Sequence, residues 1–377
     1  MEPIRILQMS GAMNRGGAET LIMELYRHLD RSKVQFDFMV YNYTGKPAAY
    51  DEEIQKLGGR IYEMKKRFYH GPVSYWREAK DFFDLHTEYR LVHAHQYATS
   101  GYILSAAKKS DKRRITITHS HIAFPQTDIL RKFADWGGKK LLNKYADYYF
   151  GCSEDALLAL AGRPADGEKL FVLKNAITPE KFVYHDESRN KWRAFFEATE
   201  NTLIVGNVAR HTYQKNHEHI LLTFNEIVEK KEDSILVLIG VGGKTEEIKE
   251  MTKKLGLTNK VYFMGSRPDV NEIMNAFDVF LLPSRYEGLG IVLIEAQANG
   301  LHCVISSDVI PEEADVHGGM VTRLSLDEDP REWAEACLQV QGRTDAKNAQ
   351  QAVIRAGYDI ETVASWLQEF YLRNWRD

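Results

Sequence analysis

Residues 283–296 read PSRYEGLGIVLIEA and follow a short apolar run, Val279–Leu282. An apolar run of this length that ends in turn residues is typical of a buried strand. Gly288 and Gly290 mark a loop, and the apolar residues after them begin a helix. A strand, a glycine loop and a helix in this order predict one unit of a parallel α/β sheet.

The same alternation of short apolar runs and amphipathic segments recurs along the chain. Predicted strands in the first half are Ile4–Met9, Gln35–Tyr41, Arg60–Met64, Leu91–His95, Ile115–His119 and Tyr148–Cys152. Predicted helices between them include Glu19–Leu29, Val73–Phe83, Ser100–Lys108 and Ile129–Lys144. Strands follow in the second half at Leu203–Val208, Ile235–Gly240, Val261–Met264, Val279–Leu282 and Cys303–Ser306. We therefore expect an α/β fold of two doubly wound, Rossmann-like domains that face a cleft.

The length of 377 residues also favours two domains, because one hydrophobic core rarely grows so large. The rhythm is interrupted in a polar stretch near Asn175–Asn201, so we predict a first domain at 1–180 and a second at 181–358. The last segment, 359–377, is predicted to be an aromatic-rich helix that packs back on the first domain.

Composition excludes several classes of protein. Hydrophobic residues at 44% and charged residues at 27% are typical of a globular chain, and exclude a disordered chain, a collagen-like repeat and a coiled-coil rod. The sequence shows neither an 18-residue apolar run nor a signal-peptide pattern. The three cysteines are widely spaced, which predicts reduced thiols in a cytoplasmic protein.

The net charge of −4 conceals an uneven distribution. Residues 1–180 hold 27 Lys and Arg against 22 Asp and Glu, whereas the remainder holds 22 against 31. A basic first half is typical either of scattered solvated charge or of an anionic partner: a phosphate ester, a nucleic acid or a membrane surface.

The loop at 283–296 carries two glutamates eight residues apart, Glu287 on the loop and Glu295 about one turn into the helix. Loop amides at a helix N-terminus suit phosphate oxygens, and carboxylates accept hydrogen bonds from paired sugar hydroxyls. Each glutamate alone is typical of a solvated surface residue. Strand, loop, glycine pair and helix together predict a binding pocket.

Further loops leave strands at the same edge. Arg210 and Lys215 follow the second domain's first strand, and a guanidinium and an ammonium at this spacing can neutralise a diphosphate. The next two strands end in GVGGK at 240–244 and in Gly265-Ser266-Arg267. In the first domain, Gly16 and Gly17 precede a helix, but without the spacing of a dinucleotide fingerprint.

Four histidines end two predicted strands of the first domain, His93 and His95 on one, His119 and His121 on the next. Such a group could suggest zinc, but no cysteine or carboxylate partner accompanies it. The Asp-x-Asp at 327–329 precedes Pro330 and is explained as the start of a helix. We therefore expect no bound metal.

These motifs resemble the GT-B glycosyltransferases of retaining family four, over nearly the whole chain. The segment GGAE at 16–19 matches the family's first loop, and Asn175-Ala176-Ile177 stands where the family has Asn-Gly-Ile-Asp. Arg210 with Lys215 matches its diphosphate pair, and Glu287 to Glu295 its most specific motif, Glu-x7-Glu. The chain departs from the family at 300–302, where Gly-Leu-His replaces Gly-x-Pro.

The resemblance assigns roles to these positions. Arg210, Lys215, Glu287 and His121 become the catalytic candidates, with His121 and Glu287 beside the donor sugar and Glu295 on the nucleotide ribose. His119 is the alternative to His121, and His95 would lie on the acceptor side. The phosphates and sugar would be held by backbone around Gly16–Gly17 and 288–291 (Gly288, Leu289, Gly290, Ile291), and the base by Gly265, Ser266 and Arg267.

The resemblance implies a retaining, metal-independent hexosyltransferase without a resident cofactor. Its substrates would be a nucleotide sugar, UDP first and GDP second, and a glycan or lipid-linked acceptor in surface polysaccharide synthesis. The basic first domain then favours peripheral contact with an anionic membrane over nucleic acid. Alternatives are a nucleotide-sugar epimerase, a phosphorylase of the same architecture, or a non-catalytic subunit that binds nucleotide sugar or glycan. The sequence indicates no oligomeric state.

Overall fold

The computed structural model describes residues 2–42, 45–65, 71–121, 129–307 and 309–375. The chain forms two compact units, Met1–Ala176 with Asp359–Asp377, and Ile177–Tyr358. None of the described helices combines the length and apolar character that a membrane-spanning segment needs.

The first unit contains a seven-stranded parallel sheet with the order β3-β2-β1-β4-β5-β6-β7. Its strands are β1 Ile4–Gly11, β2 Val34–Tyr41, β3 Ile61–Glu63, β4 Leu91–Ala94, β5 Ile115–Ser120, β6 Tyr148–Gly151 and β7 Leu170–Val172. Alternate residues of β1 enter opposite cores: Ile6 belongs to the core that contains Leu21, whereas Leu7 belongs to the core that contains Ile103. Both faces of the sheet are therefore covered, as a parallel sheet requires.

In the described part of this unit, seven α-helices cover the sheet. They are α1 Gly17–His28, α2 Asp51–Lys56, α3 Pro72–Leu85, α4 Ser100–Ser110, α5 Ile129–Tyr145, α6 Glu154–Ala161 and, from the end of the chain, α14 Ile360–Trp375. The start of α6 shows why such boundaries form: the Ser153 side chain accepts a hydrogen bond from Ala156 N, and Gly162 ends the helix in a left-handed conformation.

The second unit contains a six-stranded parallel sheet with the order β10-β9-β8-β11-β12-β13. Its strands are β8 Leu203–Val208, β9 Ser234–Ile239, β10 Val261–Gly265, β11 Val279–Leu282, β12 His302–Ser306 and β13 Val321–Leu324. Its helices are α7 Asp186–Phe195, α8 His217–Lys230, α9 Thr245–Lys254, α10 Val270–Ile273, α11 Ile291–Ala298, α12 Pro330–Leu338 and α13 Ala346–Arg355. The expected class, two doubly wound α/β domains, is confirmed. The prediction omitted β7 and β13.

Strand order reverses direction once in each sheet, between β1 and β4 and between β8 and β11. Loops that leave the carboxyl ends of two such strands diverge to opposite faces, and ligands of open α/β sheets bind in the crevice between them. The fold therefore places one candidate binding edge in each unit.

The C-terminal helix α14 packs on α1 and β2 of the first unit. Phe370 meets the rings of Tyr148 and Phe150 at 5.0 and 5.2 Å, and the Tyr371 ring lies 6.0 Å from that of Phe36. These aromatic contacts bury the apolar face of α14 in the first unit's core.

The basic first half includes the cluster Lys112-Arg113-Arg114, which the sequence predicts as charged surface, and Arg114 departs from that prediction. Its neighbour Arg113 is exposed, but Arg114 is buried and its guanidinium donates to the backbone carbonyls of Phe83, Tyr89 and Ala107 at 2.7 to 3.2 Å. The guanidinium satisfies backbone carbonyls of the surrounding elements and is enclosed by them, so it offers no charge to an anionic partner. A second basic and aromatic cluster of the first half, Lys66, Arg67, Phe68 and Tyr69, lies outside the described residues.

Candidate active site

The candidate site of the second unit lies where its strand order reverses. β8 and β11 are neighbours in parallel register, with Val205 opposite Val279 and Gly206 opposite Phe280. The buried Asn207 near the end of β8 donates from Nδ2 to Leu281 O at 2.8 Å, which ties the two strands at their carboxyl ends. The loops carrying Arg210, Lys215 and Glu287 therefore leave adjacent strands.

Backbone and side-chain hydrogen bonds fasten these two loops together. Arg285 N donates to Gln214 O at 2.8 Å, and Gln214 Nε2 donates to Tyr286 O at 2.9 Å. The Arg285 guanidinium donates to Tyr213 O at 2.8 Å and lies 4.1 Å from the centre of the Tyr213 ring. Because the loops are joined at several points, residues 72 positions apart in sequence keep a fixed spacing.

Lys215 and Glu287 meet directly. Lys215 Nζ donates to Glu287 Oε1 at 2.5 Å, and Ser284 Oγ donates to the same oxygen at 2.6 Å. The Lys215 side chain is only 14% exposed and that of Glu287 5%. The interpretation of Glu287 as a solvated loop residue is therefore wrong: the carboxylate is buried against a cation and a hydroxyl. Sequence reasoning missed Ser284 and Gln214, because a serine or glutamine in a loop carries no signal of its own.

Arg210 differs from Lys215. It is exposed, and its guanidinium forms neither a hydrogen bond nor an ion pair with any residue that the structure describes. Among the described residues, Arg210 is therefore an unengaged cation and Lys215 is a cation held by a carboxylate. An arriving anion would meet Arg210 without having to break an existing ion pair.

The loop before α11 delivers backbone N–H groups to the same edge. Gly290 caps the helix with a φ of 73°, and Leu289 before it is buried. The first-turn N–H groups of a helix point outward without partners along the helix, and they favour anions. Glu295 lies on α11 about one turn further on and is partly exposed.

Gly290→Ala is expected to destabilise the protein by about 1–2 kcal/mol, because an L-residue pays that cost in the left-handed region. The loss would appear as a lower midpoint in urea unfolding. Gly243→Ala is the matched control, since a Cβ there would meet no atom within 4 Å and its φ is ordinary. Equal stability of the two variants would contradict the strain argument.

The loops after β9 and β10 continue this edge. Gly265 ends β10 with a φ of 67°, and its carbonyl accepts from Gly240 N at 2.8 Å. Ser266 is exposed, whereas the Arg267 guanidinium forms a bidentate pair with Asp269 at 2.8 and 2.6 Å. This pairing raises the pKa of Arg267 and lowers that of Asp269. Gly265 and Ser266 therefore offer accessible backbone, while Arg267 already has a carboxylate partner.

In the first unit, Gly16 caps α1 and Gly17 is its first residue. A Cβ on Gly16 would lie 2.3 Å from Glu19 Oε2, so the Glu19 carboxylate folds back over the start of the helix. A glutamate at this third helical position is typical of a capping box. The sequence predicted phosphate-binding amides here and did not predict an acidic side chain above them.

The four histidines lie at the carboxyl ends of β4 and β5. His93 and His119 are completely enclosed, and their rings stack 5.3 Å apart. His121 follows β5, with its ring 4.1 Å from that of His119. Burial lowers the pKa of His93 to about 3 and that of His121 to about 4, and the Asn175 side chain opposes the shift at His121. Burial also lowers the pKa values of His95 and His119 well below the ordinary value for histidine. All four imidazoles are therefore neutral at pH 7.

Ring nitrogens of His93, His95 and His119 lie within 4.8 Å of one another. The His93 ring, however, stacks on His95 with 23° between planes and on His119 with 19°. Lone pairs of imidazole lie in the ring plane, so those of stacked rings run side by side, whereas a tetrahedral metal needs them to converge. The Asp-x-Asp segment at 327–329 was the other candidate for a metal site. Asp329 of that segment accepts a hydrogen bond from Arg331 N and caps α12. Its role as a helix cap is confirmed.

Comparison with known proteins covers both units. The family described as Glycosyltransferase Family 4 matches residues 15–181, and Glycosyl transferases group 1 matches residues 188–352. EpsF of Bacillus subtilis strain 168, named as a glycosyltransferase, is 36% identical over 97% of this chain and 96% of its own length. CapH of Staphylococcus aureus, a capsular polysaccharide biosynthesis glycosyltransferase, is 24% identical over 98% and 99%.

Solved structures share the fold. Anabaena HepE in complex with UDP and glucose superposes with a TM-score of 0.79 at 20% identity, over 98% of this chain and 100% of that one. A sucrose-phosphate synthase from Thermosynechococcus elongatus superposes with a TM-score of 0.78 at 17% identity, over 99% of each chain. At this level of identity the likeness establishes the architecture.

Proposed function

This chain belongs to the family 4 glycosyltransferases of the glycosyl transferases group 1 type, and from that membership we propose that it transfers a hexose-type sugar from a UDP-sugar to an acceptor hydroxyl with retention of configuration, releasing UDP. The complexes of HepE with UDP and with UDP-glucose support UDP as the nucleotide of the donor. The name of CapH supports a glycan or lipid-linked acceptor in surface polysaccharide synthesis.

The observation that carries the proposal is the contact of Lys215 and Ser284 with Glu287 where β8 and β11 diverge, with Lys215 on the loop that also carries the exposed Arg210. A donor diphosphate would bring negative charge to this edge. Arg210 and Lys215 would stabilise the further charge that develops on the leaving diphosphate, as a metal ion does elsewhere. We therefore propose transfer without a metal ion or resident cofactor.

We assign the remaining donor contacts from the family motif, and the position of these residues at one sheet edge supports the assignment. The amides at 288–291 would hold phosphate oxygens, and Glu295 would accept from the ribose hydroxyls. Gly265 and Ser266 would lie against the base. His121 would contact the donor sugar.

For the chemical step we propose front-face transfer. The acceptor oxygen forms its bond to the anomeric carbon as the bond to the diphosphate oxygen breaks on the same face, and the acceptor proton passes to the leaving phosphate. The existing contacts of Glu287 Oε1 with Lys215 and Ser284 support this route, because a carboxylate engaged by two donors is a weaker nucleophile.

A panel of nucleotide sugars tests donor binding. UDP-sugars at 100 times their Kd should stabilise the protein by about 2.7 kcal/mol through binding linkage, and so raise the thermal unfolding midpoint. GDP-sugars and ADP-sugars at equal concentration are the comparison. A shift with GDP-sugars alone would overturn the choice of base, and no shift with any nucleotide sugar would overturn the donor site.

We also propose that the first unit contacts an anionic membrane, where a lipid-linked acceptor would lie. Along α5, Phe133 and Trp136 are 69% and 61% exposed, and Lys132 and Lys140 are exposed on the same side. Lys140 Nζ lies 3.6 Å from the centre of the Trp136 ring. A surface depression nearby is lined by Lys108, Lys109, Lys112 and Lys144. Aromatic rings beside lysines suit the headgroup layer of an anionic bilayer.

Replacing Lys132 and Lys140 together with Ala should weaken binding to phosphatidylglycerol vesicles by about 30-fold, at about 1 kcal/mol for each lysine near the surface. Vesicle sedimentation at low and high salt measures the effect. Phe195→Ala, which removes an exposed aromatic residue of the second unit, should leave binding unchanged. Salt-independent binding, or equal binding by both variants, would contradict membrane contact through α5.

A further inference from the structure

A series of hydrogen-bonded side chains connects the C-terminal helix to His121. We call this series, Tyr371, Gln8, His95 and His121, the file. Gln8 Nε2 on β1 donates to Tyr371 Oη on α14 at 3.3 Å. Gln8 Oε1 lies 2.8 Å from His95 Nε2, and His95 Nδ1 lies 2.9 Å from His121 Nε2. Tyr371 and Gln8 are buried and 363 residues apart in sequence, so only the return of α14 to the first unit completes the file.

The orientation of the Gln8 amide, with Nε2 toward Tyr371 and Oε1 toward His95, determines the positions of the protons. Gln8 Oε1 can only accept, so His95 Nε2 carries its hydrogen. Burial lowers the pKa of His95 well below its ordinary value, which leaves the ring neutral with a lone pair on Nδ1. His121 Nε2 must then be the donor of the bond to His95. His121 is also neutral, so its own lone pair is on Nδ1.

The other end of the file is fixed as well. Tyr371 Oη lies 2.7 Å from His93 Nδ1 while it accepts from Gln8, so its hydroxyl donates to His93. With the Gln8 amide placed in this way, the Tyr371 hydroxyl has both its oxygen and its hydrogen engaged. If the Gln8 amide were reversed, Oε1 would face Tyr371 and Nε2 would face His95. The donor and acceptor of every hydrogen bond in the file would then exchange roles.

We propose that Gln8 and Tyr371 are positioning residues that hold His121 in the Nε2–H tautomer and fix the orientation of its ring. The inference rests on the proposed function, in which His121 contacts the donor sugar. It extends that function by making the C-terminal helix part of the catalytic apparatus. Ring stacking supports the fixed orientation, since His121 lies against His119 at 4.1 Å and against His95 at 5.2 Å.

The tautomer can be read directly from imidazole nitrogen chemical shifts in ¹⁵N-histidine-labelled protein, with His121 assigned by the resonances lost in His121→Gln. Wild type should show His121 as the Nε2–H form alone. Tyr371→Phe removes one hydroxyl and frees the Gln8 amide, so His121 should become a mixture of tautomers. Gln8→Leu should do the same by removing the acceptor for His95. Tyr148→Phe is the matched control, because it removes a hydroxyl that contacts α14 at Asn374, 2.6 Å away, outside the file.

Kinetics give the second readout. Tyr371→Phe should lower kcat by about 10-fold with KM unchanged, as loss of a supporting hydrogen bond does elsewhere, while Tyr148→Phe stays at wild-type kcat. A wild-type His121 in the Nδ1–H form, or a tautomer unchanged in both variants of the file, would overturn the inference. The nitrogen shifts need no turnover. An inactive protein with the expected tautomers would therefore count against the transferase proposal and leave the proton arrangement established.

Discussion

Lys215→Ala is expected to lower kcat by about 10²–10³-fold, the usual loss when one pre-organised donor to developing negative charge is removed. Lys215 Nζ is held by Glu287 on a loop that hydrogen bonds fasten in place, and its ammonium keeps further N–H donors with which it can bind a diphosphate without leaving the carboxylate. The charge on the leaving group grows in the transition state, so kcat should fall more than KM rises. Steady-state kinetics with the donor found in the nucleotide-sugar panel measure both constants.

Lys254→Ala is the control for this variant. Lys254 is an exposed lysine of the same unit, and its ion-pair partner among the described residues is Glu250, four residues away on α9. It should retain wild-type kcat and KM. If Lys215→Ala binds the donor, is folded, and keeps kcat within about twofold of wild type, charge stabilisation by Lys215 is wrong.

Glu287→Ala should cost both activity and stability. Removing a partner from a buried ion pair typically destabilises by about 3–5 kcal/mol, because the remaining charge keeps its desolvation cost without compensation. Lys215 would be left largely enclosed, and Ser284 would lose its acceptor. We expect about 3 kcal/mol less stability in urea unfolding and a kcat at least about 100-fold lower, since the lysine is no longer held.

Two comparisons make this prediction specific. Glu335→Ala removes the acid of an exposed pair with Lys230, 2.7 Å apart, and should cost less than about 1 kcal/mol. The double variant Lys215→Ala/Glu287→Ala contains no unpaired charge, so it should be more stable than Glu287→Ala alone. Additive losses in the double variant would show that the pair does not act as a unit.

The architecture could be predicted because most strands are apolar runs bounded by turn residues. β7 was missed because it spans only three residues, Leu170–Val172, with one of them fully buried. β13 was missed because all four of its residues are only partly buried. Arg323 on that strand donates hydrogen bonds to the carbonyls of Ile310 and Pro311. A short window of sequence around Arg323 does not contain these partners and so cannot predict the contacts.

The location of the candidate site residues at strand ends could be predicted from the sequence, but most of their side-chain contacts could not. Each motif residue was placed at a strand end from its local sequence, and parallel topology then gathers strand ends at one edge. The pairing of Lys215 with Glu287, across 72 residues, depends on β8 and β11 being neighbours. The cluster at 112–114 shows the converse, because three adjacent cations look alike in sequence while the fold buries Arg114.

The most direct test of the central claim is release of nucleoside diphosphate when purified protein is incubated with each nucleotide sugar, with and without lipid-linked or free glycan acceptors. The account predicts UDP release from one UDP-sugar, accelerated by acceptor and nearly abolished by Lys215→Ala. Tight donor binding with no release from any donor and acceptor pair would contradict it, and would leave this edge of the second sheet as a nucleotide-sugar binding site without transferase activity.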